Sequence, residues 1–106
     1  MAQFDVHRNP GRHRDDIPYV VVVQSAVFDG YQRRVVIPLV KKSRVGSVQH
    51  ARFNPVFTIK GMNVVLHPLE IVSVPEGGLG VPIASLAEQG DLIMGALDEL
   101  LTRAYG

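Results

Sequence analysis

The sequence predicts a mainly β fold, a small twisted sheet or partly closed barrel, with one helix at its C-terminal end. Three observations carry this. Short apolar segments separated by Gly, Pro and Asn recur between Gln3 and Pro75, the spacing of several short strands. Ile93, Leu97, Leu100 and Leu101 then recur at three- and four-residue intervals, the period of one helical face. Nowhere do strand and helix patterns alternate, so a parallel α/β fold is not expected.

Each element has its own reason. Gln3 to Val6 alternates briefly and predicts a first strand. His7 to Asp16 is polar, and Asn9, Pro10 and Gly11 supply turn chemistry for a loop. Ile17 to Gln24 carries four consecutive valines, Val20 to Val23. That run predicts a strand buried on both faces or crossing a barrel. Gly30 separates it from Arg34 to Val40, a strand that pairs back on it. Pro38 lacks an N–H, so its place predicts an edge or a bulge. Lys41 to Arg52 reads as a basic surface loop. Pro55 to Ile59, Met62 to His67 and Glu70 to Val74 predict three more strands, the first two joined by a tight Lys60-Gly61 turn. Glu76 to Gly80 is a glycine-rich loop. The final helix starts either at a Ser85–Glu88 capping box or at Asp91, after a break at Gly90. Gly95 either weakens the helix by about 1 kcal/mol relative to alanine or marks a close contact.

Composition narrows the function. The chain has 106 residues, 46% hydrophobic and 20% charged, which suits one globular domain with its own core. It has no cysteine, so disulfides, thiolate catalysis and cysteine-based zinc sites are excluded and a cytoplasmic location is expected. The longest apolar run, Tyr19 to Val23, is far short of the roughly 20 residues of a membrane span. Met1 to Asp5 lacks the plan of a signal peptide. A net charge of +1 does not predict a strong non-specific nucleic-acid binder.

No motif points to catalysis. His7, His13, His50 and His67 are scattered without metal-ligand spacing, so neither a metal nor a cofactor is expected. Asp15-Asp16 and Asp98-Glu99 read as solvated acids, and no serine occupies a nucleophile elbow. Gly77-Gly78-Leu79-Gly80 has no following Lys-Ser or Lys-Thr, so it is not a phosphate loop. Three basic groups stand out: Arg8, Arg12 and Arg14; Arg33 and Arg34; and Lys41, Lys42 and Arg44. Converging loops would make them a phosphate-binding patch. The net charge favours dispersal over solvent-facing loops. The apolar helix stripe covers the barrel, yet it continues through Leu100, Leu101 and Tyr105, the behaviour of a face that also serves a partner.

The motifs, taken in order, resemble a known family. They are Gln3-Phe4 with Val6, then Val22-Val23-Gln24-Ser25 running into Val27-Phe28-Asp29. Arg33-Arg34-Val35-Val36-Ile37-Pro38-Leu39 comes next, then Asn54-Pro55-Val56 and Val72-Ser73-Val74-Pro75. This order resembles the CcdB family of toxin–antitoxin toxins over nearly the whole chain. The resemblance implies a single domain over 1–106 with an SH3-like, partly closed antiparallel barrel. It implies five to seven short strands within about 3–75 and one C-terminal α-helix over about 86–104. It implies a cytoplasmic homodimer that is not an enzyme. Such a protein binds the DNA gyrase A subunit and traps the gyrase–DNA cleavage complex. A CcdA-type antitoxin neutralises it, and operator DNA is bound only by the toxin–antitoxin complex, which represses its own operon.

The resemblance also places residues. The family's gyrase contacts lie in a Trp-Gly-Ile ending, whereas this chain contains no tryptophan. An ungapped match from Asp91 puts Leu101, Thr102 and Arg103 on those positions. A match shifted toward the end offers Tyr105 and Gly106. The altered ending implies weakened or altered gyrase poisoning, because tryptophan often anchors an interface. Antitoxin contacts carry over to Val27 and Phe28 and to the outer helix face at Leu97, Leu100 and Leu101. Two other readings stand beside this one. Ile17-Pro18-Tyr19-Val20-Val21-Val22 loosely resembles a strand of the MazF-type endoribonuclease toxins, which share the barrel and would use Arg33 with Ser25 on RNA. The third reading is a non-toxic binding module.

Overall fold

A computed structural model describes residues 2–48 and 50–103. In it, antiparallel strands curl into a nearly closed barrel: β1 (Asp5–Arg8), β2 (Tyr19–Val22), β3 (Arg33–Lys41), β4 (Val56–Ile59), β5 (Met62–Leu66), β6 (Val72–Pro75) and β7 (Ala84–Ser85). The sheet order is β4-β5-β3-β2-β1-β7, with β6 also paired on β3. A single helical turn, α1 (Lys42–Val45), comes after β3. The helix α2 (Gly90–Asp98) lies near the C-terminal end and runs into one π-helical turn, Glu99–Arg103. The mainly β expectation therefore holds.

The valine run behaves as its composition requires. Tyr19, Val21 and Val23 face the main core with Val6, Ile37, Leu39, Phe57, Val64 and Leu66. Val20 and Val22 face the opposite way, against Val36 and Leu79. Both faces of β2 are covered, which is why no polar residue interrupts it. Ile93 and Ala96 of α2 are fully buried in the main core and Leu97 packs against it, so the helix covers the barrel with the first part of the expected stripe, plus Ala96, while Leu101 at its far end stays exposed.

β3 organises the sheet. Val36 to Leu39 pair with β2. On the other edge, Arg33 to Val36 pair with β6 and Leu39 to Lys41 pair with β5. Pro38 lies where the partner strand changes. Its carbonyl accepts from His67 N–H at 3.1 Å, so its missing N–H falls on the same edge, in the gap between β6 and β5. The proline is not at a sheet edge, as expected, but at a local break in pairing, which meets the same physical need.

Four expectations about elements are corrected. β1 extends through His7 and Arg8, which polarity alone assigns to the loop. His7 is completely buried, and its Nδ1 lies 3.2 Å from the Leu79 carbonyl, so a polar side chain fits the second core. The Lys41–Arg52 loop begins with α1, which ends at Gly46 with φ 77° and the Gly46 N–H donating to the Lys42 carbonyl at 3.2 Å. The helix starts at Gly90, not near residue 86. Ser85 Oγ accepts from Ala87 N–H at 3.1 Å, making a short turn, and neither the Ser85–Glu88 box nor an Asp91 cap forms, since Gln89 holds the cap position. Gly90 is there for space: a Cβ on it would lie 2.6 Å from Phe4 Cε2. The Lys60-Gly61 turn is as expected. Both residues adopt positive φ, 52° and 81°, the type I′ geometry that matches strand twist.

Candidate binding surfaces

The first surface is the connection from β2 to β3. Ser25 Oγ accepts from Val27 N–H at 3.3 Å and starts a 3-10 turn over Ala26–Phe28. Gln24 holds the connection from both sides. Its amide donates to the Phe28 and Arg33 carbonyls at 3.2 and 3.1 Å. Its carbonyl accepts from Val35 N–H at 3.1 Å. The clamp pushes apolar side chains outward: Val27 is 83% exposed, Phe28 50% and Tyr31 69%. The Phe28 and Tyr31 rings stand 6.2 Å apart, tilted by 53°, a favourable aromatic pairing. Beside them lies a cleft of about 470 Å³ lined by Val23, Gln24, Ser25, Phe28, Tyr31 and Arg33. An exposed valine beside an exposed aromatic pair on a pinned turn is the chemistry of a docking patch.

Beneath this turn sits a buried cation. Arg34 is 2% exposed. Its guanidinium donates to the carbonyls of Tyr31 at 2.5 Å, Arg33 at 2.9 Å and Asp29 at 2.9 Å, and to Glu76 Oε2 at 2.8 Å. Its Nε lies 3.7 Å from Asp29 Oδ1. Desolvating a charge is tolerable only with such partners. Arg33, the neighbour, is exposed and donates from Nε to Ser73 Oγ and from Nη2 to the Ser73 carbonyl, both at 2.8 Å.

The second surface is the end of the helix. Leu97 is half-buried and packs on the main core, so it is mostly committed to the barrel. Leu100 is half-buried. Leu101 is 70% exposed. Thr102 Oγ1 donates to the Asp98 carbonyl at 2.5 Å, tying the π turn back to the end of α2. Arg103 closes that turn. Tyr105 and Gly106 lie outside the described residues. Glu99 is tied to Arg52 at 2.7 Å, which anchors the turn to the segment before β4. Periodicity alone does not single out Leu92 and Met94, which are 52% and 45% exposed on α2. Their apolar character off the stripe is the signal that marks them.

A third surface is assembled from segments that lie far apart in sequence. An apolar cleft of about 480 Å³ runs between the Asn9–Arg12 loop and β6, floored by Val20, Val36 and Pro38 and walled by Ile17, Val72 and Val74. Its residues come from four separate segments, so no local pattern announces it. The histidines do not gather. His7 is in the second core, His13 and His50 are exposed, and His67 is half-buried. Among the described residues no three of His, Asp or Glu form a group that could hold a metal ion. No helix among them is long and apolar enough to cross a membrane.

A small barrel presenting exposed apolar patches on a pinned turn and a helix end is the architecture of a protein-binding domain. The model of the CcdB family, described as CcdB protein, matches residues 3–103, and the chain belongs to that family of toxin–antitoxin toxins. A search of curated proteins returned no match.

Proposed function

We propose that this chain is the toxin of a type II toxin–antitoxin system. It binds the DNA gyrase A subunit and traps the gyrase–DNA cleavage complex. It acts in the cytoplasm as a homodimer and as a binder, not an enzyme. A CcdA-type antitoxin neutralises it, and the two together bind operator DNA. One observation carries the gyrase reading: Leu101, on a position matching the family's gyrase-contacting ending, is 70% exposed while the rest of its stripe turns inward. Thr102 and Arg103 continue that contact, with Tyr105 and Gly106 beyond it. The antitoxin covers Val27 and Phe28 and the helix face at Leu97, Leu100 and Leu101. Leu101 belongs to both contacts, so antitoxin and gyrase compete for it.

The altered ending leaves gyrase a leucine and a threonine where the family has tryptophan and glycine. Affinity is correspondingly reduced, since aromatic anchors dominate such interfaces. The test is plasmid linearisation by purified protein with and without gyrase. Linear product only in the presence of gyrase is expected. One observation keeps a ribonuclease reading in view: Ser25 and Arg33 line the same cleft. However, Ser25 caps a turn and Arg33 makes two hydrogen bonds to Ser73, which favours a structural role for both. RNA cleavage without gyrase would replace the gyrase reading with that one. Inducible expression in bacteria supplies the second test, comparing the full chain with one lacking Arg103 to Gly106. Toxicity that truncation lowers is expected, and a harmless full chain would end the toxin reading.

A further inference from the structure

The fold separates the basic residues in a way that their sequence does not. Arg44 is engaged: its Nε lies 3.0 Å from Asp16 Oδ1. Lys41 and Lys42 are half-buried, and neither ammonium has an ion-pair partner among the described residues. Both line an open cleft of about 760 Å³ between α1 and the β4–β5 hairpin, with Ser43, Ser47 and Asn63. Thr58 Oγ1 donates to Asn63 Oδ1 at 2.8 Å. That bond occupies the amide carbonyl and leaves the NH2 group to bond elsewhere. The cleft thus offers two ammoniums, two hydroxyls and an amide donor, and no carboxylate lines it. Lys60 is exposed at the tip of the same hairpin and extends the positive charge.

We propose that this cleft binds the phosphodiester backbone of duplex nucleic acid. A cleft furnished with donors and cations needs an oxyanion. The two lysines meet phosphate oxygens as point charges, with no fixed fork geometry to satisfy, and the adjoining Arg44 is held by Asp16. The space exceeds one free phosphate and opens to solvent, as a continuous backbone requires. No aromatic side chain lines it, so it lacks the stacking platform that single strands use. Binding is therefore independent of sequence and sensitive to salt. This does not rest on the gyrase reading, and it assigns nucleic-acid contact to the chain without its antitoxin.

The experiment is fluorescence anisotropy of a short duplex of scrambled sequence, using the full chain over a salt series. Two phosphates neutralised by the lysines contribute a slope of about −1.8 in log affinity against log salt, or roughly a twelvefold loss between about 50 and 200 mM. Lys41→Gln with Lys42→Gln is expected to remove that contribution. Arg12→Gln with Arg14→Gln removes equal charge elsewhere and is expected to leave the slope in place. Asn63→Asp puts a carboxylate into the cleft from an exposed position, and it weakens binding even if the lysine pair proves structural. Equal weakening by both double variants overturns the proposal in favour of diffuse charge. Absence of binding at low salt overturns it outright. Binding of polyglutamate as tight as that of the duplex, with the same loss in the lysine variant, overturns it in favour of an acidic peptide. Displacement of the duplex by inorganic phosphate only at concentrations far above the duplex Kd supports a backbone over a free-phosphate site.

Discussion

Arg34 on β3 and Glu76 in the loop after β6 meet at 2.8 Å, with the guanidinium buried and the carboxylate half-exposed. The same guanidinium holds three carbonyls of the turn that carries Val27 and Phe28. One buried side chain thus fixes both the docking turn and the loop whose Leu79 covers the second core.

Arg34→Met should therefore cost about 3 kcal/mol of stability, the lower end for a broken buried pair because Glu76 reaches solvent. Glu76→Gln should cost less than about 1 kcal/mol, since the carbonyl acceptors remain. Urea midpoints of the two variants check this. Equal losses would mean that the carbonyl contacts contribute little.

Gly90 and Gly95 sit on the same helix and should respond with opposite sign. At Gly90 a methyl group collides with the Phe4 ring, so Gly90→Ala should cost about 1–3 kcal/mol. At Gly95 the nearest atom is 4.0 Å away, at the end of Arg52, so Gly95→Ala should gain about 1 kcal/mol. Thermal melts decide it, with shifts of about 4 °C or more for each kcal/mol. Two shifts of the same sign contradict the packing described.

Val27 is almost fully solvent-exposed, so Val27→Asp should leave the melting temperature unchanged. It should nevertheless weaken antitoxin binding at least tenfold, about 1.4 kcal/mol. Calorimetry with an antitoxin peptide measures this, and unchanged affinity removes the turn from the antitoxin contact.

Leu101→Lys should likewise preserve the fold. It should lower both gyrase-dependent plasmid linearisation and antitoxin affinity, because both partners are expected to cover that side chain. A variant that loses one and keeps the other disproves competition at Leu101.

The strands are legible where local chemistry decides them. The valine run announces a strand covered twice, and Lys60-Gly61 announces its own turn, because both signals lie within a few residues. Features that depend on distant partners are not legible. Arg33 and Arg34 are adjacent and chemically identical, yet one is exposed and one is buried. The difference lies in Glu76 and in carbonyls gathered by the fold. Pro38 states the correct need, a position with no N–H to pair, but not that it is met away from a sheet edge, because the gap between β5 and β6 exists only in three dimensions. The helix start is hidden for a similar reason: Gly90 is fixed by Phe4, at the other end of the chain. The candidate docking residues are recoverable from family-like motifs. The lysine cleft is not, since Asn63 completes it from the β4–β5 hairpin.

The π turn over Glu99–Arg103 changes how this terminus must be counted. A π turn closes its hydrogen bonds five residues on rather than four, so residues within it fall at a different angle about the axis from those of an α-helix. Positions beyond Asp98 cannot be projected from Ile93 as though the helix ran on unbroken. Anyone grafting the missing tryptophan at Leu101 by superposing an unbroken α-helix would aim it off its mark.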